Sequence, residues 1–266
     1  MPGAGVVDAH THLDACGCVT GADVRAAADR ARAVGVHRIV TVADDLESAR
    51  WVGTAADADP GVFAAVALHP TRANTLDDAA RAELEKLAAA PRVVAVGETG
   101  LDYYWPGTLE GCAEPHEQRE AFAWHIELAK RLDKPVMIHD RDAHDDVLAV
   151  LRAEGAPERV IFHCFSGGPD LARACADAGY YMSFAGTVTF KNAAELREAA
   201  ALAPAELLLA ETDAPFLTPH PYRGRANEPY CLPWTVRGLA STRKADVAAV
   251  ADACRRNAER VFGLDA

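Results

Sequence analysis

The chain has 266 residues, half of them hydrophobic, and this length suits one domain with a large core. Its formal net charge of −12 argues against broad, nonspecific coating of nucleic acid, which depends on a basic surface. No apolar run approaches the ~20 residues of a membrane-spanning helix, and no basic, hydrophobic leader follows Met1. We therefore expect a cytoplasmic protein that forms one domain over residues 1–266, and we favour a monomer.

Eight short apolar runs alternate with helical patterns along the whole chain. The helical stretches are rich in Ala, Leu, Glu and Arg, with apolar residues three and four positions apart. The runs are continuous rather than alternating, as expected of parallel strands that are buried on both faces. They lie at about residues 5–9, 38–43, 62–68, 93–97, 135–138, 159–162, 180–184 and 207–210.

This alternation predicts a TIM barrel, the (β/α)8 fold. A chain of 266 residues gives about 33 residues for each of eight units, close to the length of one strand with its crossover helix. A doubly wound open sheet is the alternative. No glycine-rich dinucleotide fingerprint follows the first run, which disfavours it.

Polar side chains stand at the ends of five of these runs. In a parallel barrel the carboxyl ends of all strands meet on one face, where such enzymes keep their active sites. The pattern therefore predicts a shared site built from distant segments. Its members are His10 and His12 after VVDA, Glu98 after VVAVG, His139 after PVMI, His163 after RVIF and Asp213 after LLLAET.

The four histidines suit a metal site. His10 and His12 are two residues apart, so both rings project to one side of an extended strand. His139 and His163 are separated by one strand, helix and strand, which places them on neighbouring strands. Each histidine alone is compatible with ordinary hydrogen bonding. Together they favour metal binding.

The two carboxylates complete a mixed set of ligands. A carboxylate at the end of a buried strand needs an ion or hydrogen-bond donors, because an unpaired charge there is costly. Glu98 could bridge two cations through its two oxygens, and Asp213 could bind one cation and accept a proton from attacking water. Imidazole and carboxylate ligands suit borderline or hard divalent ions, and two such ions support hydrolysis.

The cysteines indicate reduced thiols. Seven cysteines are scattered over the chain, and an odd number argues against a disulfide framework. Cys16 and Cys18 form a C-x-C sequence directly after the first histidine pair. A soft metal site there is an alternative to small loop residues, but zinc motifs normally include a second spaced pair.

Ordered motifs over nearly the whole chain resemble one family, the TatD-type metal-dependent deoxyribonucleases of the amidohydrolase superfamily. The order and spacing of the motifs together, rather than any one of them, carry the resemblance. They are DAHTHLD at 8–14, GETGLDYY at 97–104, PVMIHDRDA at 135–143, HCFSG at 163–167, ETDAPFLTP at 211–219 and RNAERVFG at 256–263.

The resemblance implies a barrel hydrolase with two divalent metal ions. It implies one ligand group of His10, His12, Glu98 and Asp213, and a second of Glu98, His139 and His163. It also implies magnesium- or manganese-dependent cleavage at DNA ends, with Zn²⁺ as another possible ion.

One segment departs from the family pattern. The family reads R-G-x-R-N-E-P after the eighth strand, whereas this chain has RGRANEP from Arg223 to Pro229, with Ala226 where the second arginine is expected. The neighbouring Arg225 could replace that arginine, or one phosphate contact is absent. The departure leaves the predicted metal ligands intact but affects substrate preference.

Five residues are candidates for binding substrate. His69 ends the third strand at a family position near the site, and a structural hydrogen bond is the alternative role. The planar guanidinium of Arg141 suits a phosphate, although a surface salt bridge is equally compatible. Arg223 and Arg225 form the compact basic element near a ligand strand. Tyr103, with the two aromatic residues after it, could stack bases or only pack the loop.

The other histidines and the last helix have no ligand-like setting. We expect His37, His116, His125, His144 and His220 on helix or loop surfaces. Asn257 and Arg260 lie on the last predicted helix, where capping or packing is expected.

The predicted function is hydrolysis of DNA phosphodiester bonds, as an exonuclease, by a metal-activated water. Asp213 and Glu98 are the catalytic candidates. The rival enzyme acts on a carbon centre, such as an amide, a lactone or an aminoacyl ester like D-aminoacyl-tRNA. A barrel that only binds a partner is a third hypothesis, and the complete ligand set disfavours it.

Overall fold

A computed structural model describes residues 5–264, and it confirms the predicted (β/α)8 barrel. Eight parallel strands pair in the order β1 to β8, with helices between them on the outside. This sequential order excludes the doubly wound sheet, in which the strand order reverses at a switch point. The strands are β1 (Val6–Thr11), β2 (Val36–Val42), β3 (Val62–Ala65), β4 (Val93–Asp102), β5 (Val136–Arg141), β6 (Val160–Phe162), β7 (Tyr181–Phe184) and β8 (Leu208–Ala210).

Main-chain hydrogen bonds just beyond β8 bring the last strand back to the first. The amide of His12 donates to the carbonyl of Ala214 at 2.8 Å, and the amide of Asp213 donates to the carbonyl of His10 at 2.9 Å. Residues two hundred positions apart in sequence are thereby adjacent. Barrel closure therefore places the first histidine pair beside Asp213.

Two strands extend farther than their apolar runs. β4 and β5 remain paired at Gly100 with His139 and at Asp102 with Arg141. A Cβ atom on Gly100 would lie 2.2 Å from the His139 carbonyl oxygen, so only glycine permits this approach. Glu98 and His139 consequently lie within the strands, not after them.

Nine α-helices are present within residues 5–264, and local sequence signals set their ends. Thr20 and Asp23 form a capping box at the start of α1, and Pro115 occupies the first turn of α4. None of these helices is long and apolar enough to cross a membrane. They are α1 (Gly21–Arg32), α2 (Leu46–Ala58), α3 (Asp78–Ala88), α4 (Pro115–Leu132), α5 (His144–Glu154), α6 (Pro169–Ala178), α7 (Ala194–Leu202), α8 (Leu232–Arg243) and α9 (Val247–Phe262).

Helix α9 closes the amino-terminal end of the barrel. Its residues Val261 and Phe262 are buried in one cluster with apolar side chains of the strands. The buried Asn257 amide donates to two main-chain carbonyl groups at 2.8 Å each, and Arg260 Nε donates to the Tyr181 hydroxyl at 2.9 Å. Both polar residues thus have the packing role expected from the sequence.

The surface position expected for His125 is wrong. Its side chain is fully buried on the face of α4 that packs against the strands. The ring accepts a hydrogen bond from the Leu68 amide at 3.3 Å and donates to the Ala121 carbonyl at 2.7 Å. These partners replace water, and burial lowers the pKa of His125 to about 4.

Candidate active site

Four of the predicted ligands meet at the carboxyl ends of β1, β4 and β8. The Nε2 atoms of His10 and His12 are 3.1 Å apart. Asp213 Oδ1 lies 3.6 Å from each of these nitrogens, and Glu98 Oε1 lies 3.8 and 3.5 Å from them. The four side chains therefore aim ligand atoms at one point.

The second group uses the other oxygen of Glu98. His163 Nε2 lies 2.7 Å from Glu98 Oε2, and His139 Nδ1 lies 3.2 Å from the same oxygen. The His10 and His163 rings are stacked with centroids 3.9 Å apart, which joins the two groups. Glu98 thus faces a separate cluster with each oxygen.

These donor atoms have the spacing of a coordination shell. Ligand atoms at 2.0–2.2 Å from a tetrahedral ion stand about 3.4 Å from one another. The separations between ligand atoms in the first group run from 3.1 to 3.8 Å, which matches this spacing. Neutral imidazole with carboxylate is also the chemistry that divalent cations accept. The residues of both groups therefore fit metal ions.

Carboxylates behind the ligands orient two of the histidine rings. Asp102 Oδ2 lies 2.9 Å from His139 Nε2, the nitrogen that faces away from Glu98. Glu211 Oε1 lies 3.3 Å from His163 Nδ1 and accepts a hydrogen bond from the Cys164 amide at 2.7 Å. Such contacts fix the tautomer and the direction of a metal-binding imidazole.

Sequence reasoning missed both of these carboxylates. Asp102 follows Glu98 by four residues, and Glu211 precedes Asp213 by two. Asp102 lies in the GETGLDYY motif with Glu98, and Glu211 lies in the ETDAPFLTP motif with Asp213. This closeness to a ligand candidate is the sequence signal that could have identified them. Their contacts with His139 and His163 arise only from strand packing.

The site attracts positive charge. Burial lowers the pKa of His12, but a hydrogen bond to Asp213 and the charges of Asp44 and Glu98 outweigh it and raise the pKa to about 10. Burial raises the pKa of Glu98, yet the charge of His163, among others, holds it well below the usual range. Positive charge is therefore favoured where these carboxylates meet, as a cation site requires.

Not every histidine gains a proton. Burial and the neighbouring charge of His163 lower the pKa of His10 well below its ordinary value. Burial lowers the pKa of His163, but the Glu98 charge and a hydrogen bond to Glu211 raise it well above. A neutral His10 keeps a lone pair that can bind a cation.

Asp213 adopts an uncommon main-chain conformation. Its φ of 51° lies in the left-handed region, which costs a residue other than glycine some energy. The side chain is 13% exposed and forms part of the wall of a cavity above the two ligand groups. Asp213 thus belongs to the first group and also lines the cavity.

The cavity above the two groups has a volume of about 690 Å³, in the range of small-molecule sites. His10 does not line it, and the other five members of the two groups all contribute to its wall. The rest of the lining mixes acidic, cationic, aromatic and hydroxyl side chains. The lining includes His12, His69, Arg72, Glu98, Trp105, His139, Arg141, His163, Cys164, Ser166, Asp213 and Phe216.

The structure places His69 in this wall, beside the second group. Its Nε2 atom lies 3.3 Å from His139 Nδ1, and its Nδ1 atom lies 2.7 Å from the Thr71 hydroxyl. Burial lowers the pKa of His69 to about 3. A neutral ring in this position can contact a ligand in the cavity.

Arg141 and the aromatic loop after β4 differ from the expectation in detail. The Arg141 guanidinium carbon lies 3.7 Å from the Tyr104 ring centroid and 5.4 Å from that of Trp105. Tyr103 does not line the cavity. Its hydroxyl donates to Asp146 at 2.6 Å and accepts from Arg119. Of the aromatic residues in this loop, Trp105 lines the cavity instead.

Arg223 and Arg225 are exposed on the loop after β8 and do not line the cavity. Arg223 lies over the Phe190 ring at 4.1 Å, and Arg225 lies 5.8 Å from the Tyr222 ring. Ala226 beside them is exposed too. The basic loop therefore lies outside the cavity.

The C-x-C sequence is not part of a ligand cluster in the region that the structure describes. Neither Cys16 nor Cys18 belongs to any group of three potential ligands between residues 5 and 264. Cys16 Sγ instead contacts the carbonyl of Asn227 at 3.8 Å. This agrees with the expectation of small loop residues.

Known proteins share this architecture. A solved structure of YJJV, a TatD homolog from Escherichia coli K12, superimposes with a TM-score of 0.88 at 30% identity, covering 97% of this chain and 98% of that one. A hydrolase TatD family protein from Entamoeba histolytica gives a TM-score of 0.84 at 19% identity, covering 97% and 98%, and shows the fold alone.

Sequence relatives cover almost all of the chain. The uncharacterized metal-dependent hydrolase TatD of Mycobacterium tuberculosis is 65% identical, over 97% of this chain and 98% of that protein. The 3'-5' ssDNA/RNA exonuclease TatD of Klebsiella pneumoniae is 35% identical, over 89% and 90%. The family model for TatD related DNase matches residues 7–263. The chain therefore belongs to the TatD-related DNase family and is a metal-dependent hydrolase.

Proposed function

We propose that the chain hydrolyses phosphodiester bonds of DNA and removes nucleotides from a chain end. The observation that carries this proposal is the position of Glu98, which faces the first ligand group with Oε1 and the second with Oε2. The two ligand groups would hold two divalent ions, Mg²⁺ or Mn²⁺ in our proposal, which would supply a lowered pKa of water and stabilisation of both oxygens of a phosphoryl displacement.

Asp213 is the proposed general base. Its carboxylate lies beside His10 and His12 and also borders the cavity, so it can orient a water molecule and accept its proton. The hydrogen bond from its amide to the His10 carbonyl, at 2.9 Å, holds the residue at the barrel seam. The same bond keeps Asp213 next to His10.

Two arginines in the cavity wall can offset the charge of a phosphate. Arg141 and Arg72 both line the cavity, and Arg72 is a residue that sequence reasoning missed. A guanidinium presents paired donors that match phosphate oxygens. A cavity of about 690 Å³ takes a ligand of small-molecule size, which supports attack at a chain end.

The names of relatives support nucleic acid as the substrate class. The Klebsiella pneumoniae protein and the Erwinia billingiae protein are both named 3'-5' ssDNA/RNA exonuclease TatD, at 35% and 36% identity. We propose DNA for this chain on that basis together with the cavity arginines. Hydrolysis at a carbon centre is the rival outcome of the test.

The test is a substrate panel on one purified sample. The protein is treated with a chelator, dialysed, and assayed with Mn²⁺, Mg²⁺ or Zn²⁺ on single-stranded DNA, thymidine 5'-(p-nitrophenyl phosphate), an aminoacyl-tRNA and p-nitrophenyl acetate. We expect release of nucleotides that chelation abolishes and Mn²⁺ or Mg²⁺ restores. Hydrolysis of the carbon-centred substrates alone would overturn the proposal, and restoration by Zn²⁺ alone would overturn the choice of ion.

A further inference from the structure

An arginine stacked on two aromatic rings forms one side of the cavity. The guanidinium of Arg141 lies over Tyr104 at 3.7 Å and near Trp105 at 5.4 Å, and these two rings meet edge to face. Arg141 and Trp105 line the cavity, whereas Tyr104 is 49% exposed. We call these three residues the inner platform.

A second arginine–aromatic pair stands outside the cavity. The guanidinium of Arg223 lies over the Phe190 ring at 4.1 Å. Arg223 is exposed, Phe190 is half-buried, and neither contributes to the cavity wall. We call this pair the outer platform.

The two platforms lie on opposite sides of the barrel mouth. Tyr104 and Trp105 follow β4 and Arg141 ends β5, whereas Phe190 follows β7 and Arg223 follows β8. In the sequential ring of eight strands, the β4–β5 pair and the β7–β8 pair are three positions apart and lie across the barrel from each other. Glu98 on β4 and Asp213 after β8 meet between them, so the candidate metal centre lies on the path from one platform to the other.

Neither of these arginines is paired with a carboxylate within residues 5–264. Elsewhere on the surface, Arg173 is paired with Asp170 and Arg256 with Asp252. Carboxylates outnumber cationic side chains in this chain, which has a net charge of −12, so most arginines are expected to find an acidic partner. Arg141 and Arg223 therefore keep their donors for an external anion.

We propose that a single DNA strand crosses the mouth, with its terminal nucleotide on the inner platform and the rest of the chain leaving over the outer platform. Aromatic faces and guanidinium planes stack bases without regard to sequence, and the arginine donors bind the adjacent phosphates. The inner platform takes the nucleotide that is released because it alone borders the cavity. This inference rests on the proposed function and assigns the residues that hold the chain.

Binding by strand length tests the proposal. Fluorescein-labelled thymidine dinucleotide and dodecamer are titrated with the Asp213→Asn variant in the presence of Mn²⁺, and fluorescence anisotropy gives both values of Kd. We expect the dodecamer to bind at least about fivefold more tightly, the smallest effect of one stacked base. A blunt hairpin duplex, whose bases are already stacked, should bind no better than the dinucleotide.

Variants of the outer platform sharpen the test. Arg223→Ala and Phe190→Leu should each reduce the dodecamer-to-dinucleotide ratio by about fivefold or more. Loss of the Arg223 phosphate contact should also lower the slope of log Kd against log salt concentration by about 0.7, as for single strands, while Phe190→Leu keeps the slope. Arg256→Ala removes the same charge from helix α9, at the amino-terminal end of the barrel, and is the matched control.

The outcomes separate the two proposals. Equal Kd values for dinucleotide and dodecamer, tight binding of the blunt duplex, or an equal loss in Arg256→Ala would each overturn the two-platform path. Length-dependent binding together with absence of phosphodiester hydrolysis in the wild-type protein would support the path and overturn the proposed function. Thermal melting of each variant confirms that a loss of binding is not a loss of folding.

Discussion

The two ends of the barrel are built from the same strands but place their phenylalanines differently. At the amino-terminal end, Phe262 is 4% exposed in a cluster with strand side chains, and the Asn257 amide has two carbonyl partners. At the carboxyl-terminal end, Phe216 is 56% exposed at the cavity, and the buried Asp140 Oδ1 has no hydrogen-bond partner among the described residues.

This difference separates stability from function. The amino-terminal end buries apolar area and gives the buried Asn257 amide two partners, and both stabilise the fold. The carboxyl-terminal end gathers carboxylates and imidazoles that gain full partners only from cations and substrate. Substitutions at the first end should therefore change the free energy of unfolding, and those at the second should change catalysis.

The largest expected effect is that of Asp213→Asn. Loss of the proposed base should reduce kcat for thymidine 5'-(p-nitrophenyl phosphate) by about 10²- to 10⁴-fold. Melting temperature should change little, because the side chain borders the cavity. Asp170→Asn, on the exposed surface of α6, is the matched control and should keep full activity. Near-normal turnover in Asp213→Asn would contradict the assignment of Asp213 as the general base.

Phe262→Ala should destabilise the amino-terminal end of the barrel. Truncating this buried ring leaves a cavity and should lower the free energy of unfolding by about 3–5 kcal/mol, measured by urea denaturation. The kcat of the folded fraction should be unchanged, since the ring lies far from the site.

Phe216→Ala is the matched control for Phe262→Ala. Because its ring is largely exposed, stability should change by no more than about 0.5 kcal/mol. Its kcat/KM should fall, because the ring lines the cavity 6.2 Å from that of His12. Equal destabilisation by the two substitutions would contradict the separation of the two ends.

Glu211→Gln tests the orientation of His163 rather than direct contact with substrate. An amide cannot accept hydrogen bonds as strongly as the carboxylate that now contacts the ring and the Cys164 amide. We expect Mn²⁺ affinity to fall by about 10- to 100-fold, measured by isothermal titration calorimetry. Excess Mn²⁺ should restore kcat, and an unchanged affinity would show that Glu211 does not position a ligand.

Asn257→Ala should destabilise the fold and leave the candidate metal centre unchanged. The substitution leaves two main-chain carbonyls at the amino-terminal end without their donor, which costs about 1–3 kcal/mol of unfolding free energy. Affinity for Mn²⁺ should stay at the wild-type value in the same calorimetric titration. A parallel loss of metal affinity would mean that the two ends are coupled.

Local sequence signals were sufficient for the barrel and for the positions of the six ligand candidates. Continuous apolar runs can be buried on both faces only in a parallel sheet covered by helices, and eight of them with helices between leave few other folds. Strand direction then assigns His10, Glu98 and Asp213 to one face without knowledge of any contact.

Aromatic roles and supporting contacts could not be obtained in this way. Tyr103 and Tyr104 are adjacent in sequence, yet one hydroxyl contacts Asp146 and the other ring supports Arg141. The turn after β4 decides which ring faces the cavity, and its geometry has no periodic signal. His125 was misplaced for a similar reason, because its burial depends on where α4 packs.

The sequence by itself determined the alternation of strands and helices and the residue types at the strand ends, because both follow from short-range periodicity. Only the tertiary structure decided which atoms meet. Glu98 faces two clusters with separate oxygens, and Asp213 lies beside His10, because strand β4 packs closely on β5 and the segment after β8 bonds to β1. These contacts join residues far apart in the chain, so they depend on closure of the barrel and not on any local pattern.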